Sequence, residues 1–210
     1  CKKRKKSRHF RQRLMRALCN KNKKGITMNK LKIAFLSVYM ISLYGCASSA
    51  KYENMAYTDS TGAEYNKKLE KNIEVKKVQG GEETNPLWTS EIDNTAFKKA
   101  VEMSLSSQGL LSKDGRYQLK VVLEKVEQPI FGLDMTVTVH VNYILIDSKS
   151  NKIILDSVVV SPYTATFSDS MVGITRLRLA NEGAGKSSIR ELLKKLSSLN
   201  IGTNEITINK

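Results

Sequence analysis

Read along the chain, the spacing of apolar positions changes several times, and each change marks an element. Ile73 and Val75 alternate with polar neighbours as a short strand, which Gly80-Gly81 stops. Phe97, Ala100, Val101 and Leu105 then recur three and four apart. Asp93, Asn94 and Thr95 precede them as candidate caps and Gly109 follows, so the spacing predicts a helix over about 95–108. Leu119, Val121 and Leu123 alternate with Gln118, Lys120 and Glu124, a strand with one buried face. The longest alternation puts Met135, Val137, Val139, Val141, Tyr143 and Leu145 on one face and Thr136, Thr138, His140 and Asn142 on the other. Residues 147–152 (DSKSNK) read as a hairpin turn. The strand after it runs from Ile153 to Val160 and on past Pro162 towards Phe167. Pro162 has no N–H for a ladder, so it marks an edge or a bend. A last helix over roughly 174–198 carries its stripe on Ile189, Leu192, Leu193 and Leu196. Gly183 and Gly185 weaken that helix by about 1 kcal/mol each relative to Ala. The order β-α-β-β-β-α predicts an α+β fold: a two-layer sandwich, an antiparallel sheet with two helices on one face.

Charge separates the first 45 residues from the rest. They hold 14 of the 35 basic residues and none of the 20 acidic ones, which leaves 46–210 near neutral at 21 basic against 20 acidic. That body has no electrostatic footprint for a phosphate backbone, so the formal charge of +15 does not make this a nucleic-acid binder. Met28 opens a short positive stretch, Asn29 to Lys32, and Ile33 to Tyr44 is an uncharged, mostly apolar run of 12 residues. As a helix it rises about 18 Å, too short for a hydrocarbon core of about 30 Å. Such a run behind two lysines and before a small residue is a secretory signal. Signals of this kind begin a chain, so residues 1–27 are expected to be an upstream extension, 28–45 the signal and 46–71 a polar tether. The α+β domain is expected over 72–200 and a tail over 201–210.

Leu43-Tyr44-Gly45-Cys46 resembles a bacterial lipobox, with an aliphatic residue at −3, a small one at −1 and Cys at +1. The resemblance implies signal cleavage between Gly45 and Cys46, a diacylglyceryl thioether on the Cys46 sulfur, and a further acyl chain on the freed amine. One acyl chain holds a protein to a bilayer only marginally, whereas three hold it stably. Ala47 follows Cys46 where lipoproteins kept at the inner membrane often carry Asp, which implies the outer membrane. The other cysteines, Cys1 and Cys19, lie in the extension, so the body has no thiol for disulfides, catalysis or metal ligation.

Residues 84–89 (TNPLWT), 131–137 (FGLDMTV), 162–168 (PYTATFS) and 176–182 (RLRLANE) resemble a family of small Gram-negative envelope lipoproteins, over about residues 73–198. Some of its members carry the name UDP-N-acetylglucosamine acyltransferase. The element order is also similar to accessory lipoproteins of lipid-transport and lipopolysaccharide-assembly machines, an analogy of fold alone. Two functions follow. One is a non-catalytic outer-membrane lipoprotein that faces the periplasm as an accessory, assembly or lipid-binding subunit. The other is an enzyme of envelope lipid or sugar metabolism.

The chemistry in the body favours the first. Residues 180–187 (ANEGAGKS) fit a relaxed phosphate-binding loop, but Arg176 and Arg178 before them exclude the buried strand such a loop needs. An acyltransferase of the named type is expected to show hexapeptide repeats and a catalytic His. No such repeat is present, and the body's one histidine, His140, lies mid-strand with no nominated proton partner. Asp134 and Asp169 fall in loops, where they could pair or stay solvated. The sequence nominates no metal or cofactor. The apolar loop residues Leu87, Trp88, Ile130, Phe131 and Leu133 either plug the open ends of the sandwich or form a rim that binds an envelope protein or lipid.

Overall fold

The computed structural model describes residues 48–59, 62–85, 89–202 and 206–208. Cys46 and the whole signal, together with Leu87 and Trp88, lie outside these described residues.

The four long strands form one sheet. Strands β1 (Ile73–Gln79), β2 (Tyr117–Glu127), β3 (Met135–Asp147) and β4 (Lys152–Ala165) line up in chain order. The β2–β3 and β3–β4 pairs are antiparallel, and β3 alternates as its pattern predicts, with Val137, Val139, Val141, Tyr143 and Leu145 fully buried. β1 departs from the expected antiparallel sheet. It runs parallel to β2, Ile73 facing Tyr117, because an intervening helix carries the chain back to the end where β1 began. The sheet is therefore mixed, within the α+β two-layer architecture.

A four-residue helix α1 (Tyr52–Met55) precedes β1, α2 (Asn94–Ser107) joins β1 to β2, and α3 (Gly173–Ser197) follows β4. The Asp93 side chain caps α2 by accepting from the Ala96 N–H at 2.8 Å, and Gly109 closes it at φ +69°, a left-handed conformation that glycine adopts without strain. The stripe Ile189, Leu192, Leu193 and Leu196 is buried, and the Tyr143 hydroxyl meets the Ser188 hydroxyl at 2.9 Å between sheet and helix. Burial pushes the Tyr143 phenol well above its ordinary range. β4 is an edge strand, which accommodates Pro162. Within 201–210, expected as a tail, Ile206–Ile208 forms β6 and pairs with β5 (Leu199–Ile201).

The segment 48–71 does not behave as a free tether. Ala50, Met55, Ala56 and Leu69 are buried, and a 3₁₀ turn, Lys67–Leu69, leads into β1. A polar composition conceals these few anchor residues.

Gly183 and Gly185 owe their place in α3 to packing. A Cβ on Gly183 would lie 2.2 Å from the Tyr163 ring, and one on Gly185 would lie 3.0 Å from the Met55 sulfur. The helical cost of Gly is offset by the close approach it allows. Gly183→Ala should therefore lower stability in the native protein, yet raise it by about 1 kcal/mol in a Tyr163→Ala background, where helix propensity alone acts. Urea unfolding of the four variants reads this cycle, and equal effects in both backgrounds would refute the packing role.

At the β3–β4 hairpin, Asp147 is buried and accepts from Arg116 Nε at 2.7 Å, the Lys149 N–H and the Ser150 hydroxyl. The Arg116 guanidinium beside it holds its carboxyl well below the usual carboxylate range. A depressed folded pKa adds stability above the unfolded value of about 3.9 and loses it as pH falls through the folded one. Asp147→Asn should cost about 1.5–3 kcal/mol at pH 7. That difference should shrink as the pH is lowered below 4 in chemical denaturation.

Candidate functional site

One end of the sheet gathers three loops. β1 ends there and hands over to 80–93, β2 and β3 are joined there by 128–134, and 166–172 links β4 to α3. The apolar residues of the second loop are in solvent and plug nothing: Ile130, Phe131 and Leu133, with Met171 of the third loop, are 75–95% exposed. Val172 and Phe167 are about half exposed beside them. Ile130, Phe131 and Leu133 are thus exposed side chains. The sequence reading missed Phe167, Met171 and Val172, although an apolar pair between Ser170 and Gly173 in a polar loop was a signal that could have found them.

Arg176, on the first turn of α3 and itself buried, fastens the two loops together. Its Nη1 donates to the Ser170 carbonyl at 2.7 Å and its Nη2 to the Gly132 carbonyl at 3.1 Å. The guanidinium also stands over the Phe167 ring, 5.4 Å from its centre. Asp134 and Asp169 both serve the third loop. Asp134 accepts from the Phe167 N–H at 3.1 Å, and Asp169 accepts from the N–H and hydroxyl of Thr166, which lower its pKa.

The N-terminal end of the described chain meets the domain near this end. Ser90 Oγ donates to the Ser48 carbonyl at 2.7 Å, Arg178 Nη1 donates to Ser48 Oγ at 2.7 Å, and the Ala50 N–H donates to the Glu91 carbonyl at 3.1 Å. Glu182, 3% exposed on α3, accepts from the Lys51 N–H at 3.0 Å and from Asn54 Nδ2 at 2.8 Å, with Arg178 Nε 3.5 Å away. Fully buried Asn181 donates to the Ser90 carbonyl at 2.6 Å, and Gln128 donates to Asn181, Ser90 and Glu91. The stretch that imitates a phosphate-binding loop, 180–187, lies wholly inside α3, and its Asn181 and Glu182 are clamps for other segments.

Two clefts flank these contacts. One, of about 510 Å³, is lined by Glu82, Thr89, Glu91, Glu124, Gln128 and Ile130, and burial pushes the Glu91 carboxyl up. The other, of about 700 Å³, is open and includes Tyr57, Asp59, Tyr163, Asp169, Lys186 and Arg190. His140 sits on the outer sheet face with Glu127, whose Oε1 is 3.7 Å from its Nε2 and whose pKa is lowered by a hydrogen bond from Lys125. Among the described residues no group of three or more His, Cys, Asp or Glu could hold a metal ion, and no helix is long and apolar enough to cross a membrane. The sandwich is also a different architecture from a hexapeptide β-helix.

No protein-family description and no curated protein matches the chain. Among solved structures, it is similar to a Xanthomonas campestris protein of family DUF330 at 14% identity and TM-score 0.46, covering 61% of this chain and 86% of that one. A putative lipoprotein from Caulobacter crescentus aligns at 15% identity and TM-score 0.43, over 62% of this chain and 90% of that one. The PelC dodecamer from Paraburkholderia phytofirmans aligns at 17% identity and TM-score 0.42, over 61% and 90%. Each is a distant likeness.

The clamp itself is testable. Glu182→Ala should cost about 1.5–3 kcal/mol, since hydrogen bonds to a charged group are lost. Hydrogen exchange at the amides of Ala50, Lys51 and Met55 should rise well beyond that change. Unaltered exchange there would show that the N-terminal segment is held without Glu182.

Proposed function

We propose that this chain is a non-catalytic lipoprotein of the bacterial outer membrane, anchored at Cys46, facing the periplasm, and serving as an accessory subunit of an envelope assembly. The observation that carries the reading is the exposed rim of Ile130, Phe131 and Leu133, with Met171 of the neighbouring loop, which are the most exposed of the large apolar side chains among the described residues. Contiguous exposed apolar side chains are a feature of surfaces that meet a protein or a lipid. The short apolar run before Leu43-Tyr44-Gly45-Cys46 supports the anchor. Two of the polar candidates, Asp134 and Asp169, are engaged in holding loops, which also supports a binding role.

Mass spectrometry of the chain purified from bacterial membranes should find acyl chains on Cys46 as the first residue. Cys46→Ala should leave the outer-membrane fraction and appear in the soluble one. In-cell crosslinking of the anchored form should recover one stoichiometric envelope protein, and its complete absence would overturn the accessory reading.

A further inference from the structure

The rim and Ser48, two residues after Cys46, are at the same end of the domain, and this bears on what the rim meets. Arg176 ties both rim loops to the first turn of α3, while Arg178, two residues later, holds Ser48. Arg178 is five residues beyond Gly173, about 7.5 Å along the helix axis from its first residue. Cys46 is two residues before Ser48, and two residues span at most about 7 Å. Fully extended, the chain between the proposed anchor and the domain therefore comes close to the level of the first turn of α3, to which Arg176 ties the loops that carry Ile130, Phe131, Leu133, Met171 and Val172. Ser48 is held on both sides, by Ser90 and by Arg178, so the domain cannot swing this end away without breaking the clamp.

We propose that the tips of the 128–134 and 166–172 loops are seated in the leaflet that holds the Cys46 acyl chains, so that this end of the domain rests on the membrane. The proposal rests on the anchor at Cys46 and goes beyond it by naming the occupant of the rim: a phospholipid bilayer. Some polar groups of these loops are already bonded within the protein, among them the Gly132 and Ser170 carbonyls and the Phe167 N–H, and need no water there. The opposite end, with the hairpin turn at 148–151, would stand furthest from the bilayer.

The test uses the full chain, processed and acylated in cells, with the Cys46 acyl mass confirmed before any measurement. Acylated Cys46 has no free thiol, so Phe131→Cys, Met171→Cys and Ser150→Cys can each be labelled singly with an environment-sensitive fluorophore. The proteins are reconstituted in phosphatidylethanolamine–phosphatidylglycerol vesicles with or without spin-labelled acyl chains. Labels at 131 and 171 should shift to the blue and lose roughly half or more of their emission to the spin label, whereas the label at 150 should lose almost none. Ile130→Ser combined with Leu133→Ser should restore most of the emission at 171. Emission at 131 and 171 as insensitive as at 150, on protein carrying its acyl chains, overturns the proposal. So does a blue shift that depends on protein concentration and not on the spin label, which would assign the rim to a second copy. Protein without acyl chains on Cys46 overturns the anchor, and the mass reads that failure separately.

Discussion

A carboxylate with almost no access to water governs how this domain is put together. Glu182 sits 3% exposed in the middle of α3, and a charge in that position is costly unless it is surrounded by donors. α3 alone offers Arg178; the other donors, the Lys51 N–H and Asn54 Nδ2, come from a segment more than a hundred residues earlier in the chain. The N-terminal segment must therefore fold onto the helix. Once it does, Met55 enters the core against Gly185, Ala50 meets the Glu91 carbonyl, and Ser48 is placed between Ser90 and Arg178.

The same helix explains why small residues recur in its middle. Gly183 leaves room for the Tyr163 ring from β4, Ala184 is buried, and Gly185 leaves room for Met55 and Phe97. Three separate elements thus approach α3 closely, Tyr163 on one side and Met55 and Phe97 on the other, because positions 183 and 185 lie about 200° apart around the helix. Helix propensity argues against such a sequence, and packing wins because each glycine admits a side chain that a methyl group would displace.

Most of the sandwich was legible in the pattern of the chain. Burial on one face of β3 follows residue by residue from its alternation, the α2 boundaries follow from Asp93 and Gly109, and the α3 stripe follows from Ile189, Leu192, Leu193 and Leu196. The direction of β1 was less so, because alternation tells which face is buried and not which way a strand runs; the helix between β1 and β2 was the clue. The packing of 48–56 was concealed because three buried apolar residues in a polar segment form no period. For the site, composition marked Ile130, Phe131 and Leu133 as unusual in a loop, but apolarity alone could not distinguish a plug from a rim. The roles of Arg176, Asn181 and Glu182 depend on partners distant in sequence, which no local motif records.

The fastening of Ser48 changes how such a protein would encounter anything else. A free coil of 25 residues would let the domain roam through a shell about 25–30 Å deep, presenting every face in turn. Were Cys46 acylated as proposed, the clamp on Ser48 would narrow that freedom largely to translation in a plane and rotation about the membrane normal. Encounters would become two-dimensional, and the domain would offer its flanks and far end at a nearly constant height. A partner would then have to carry its complementary surface at that same height, so that the short chain between Cys46 and Ser48 acts as a gauge for what can be bound.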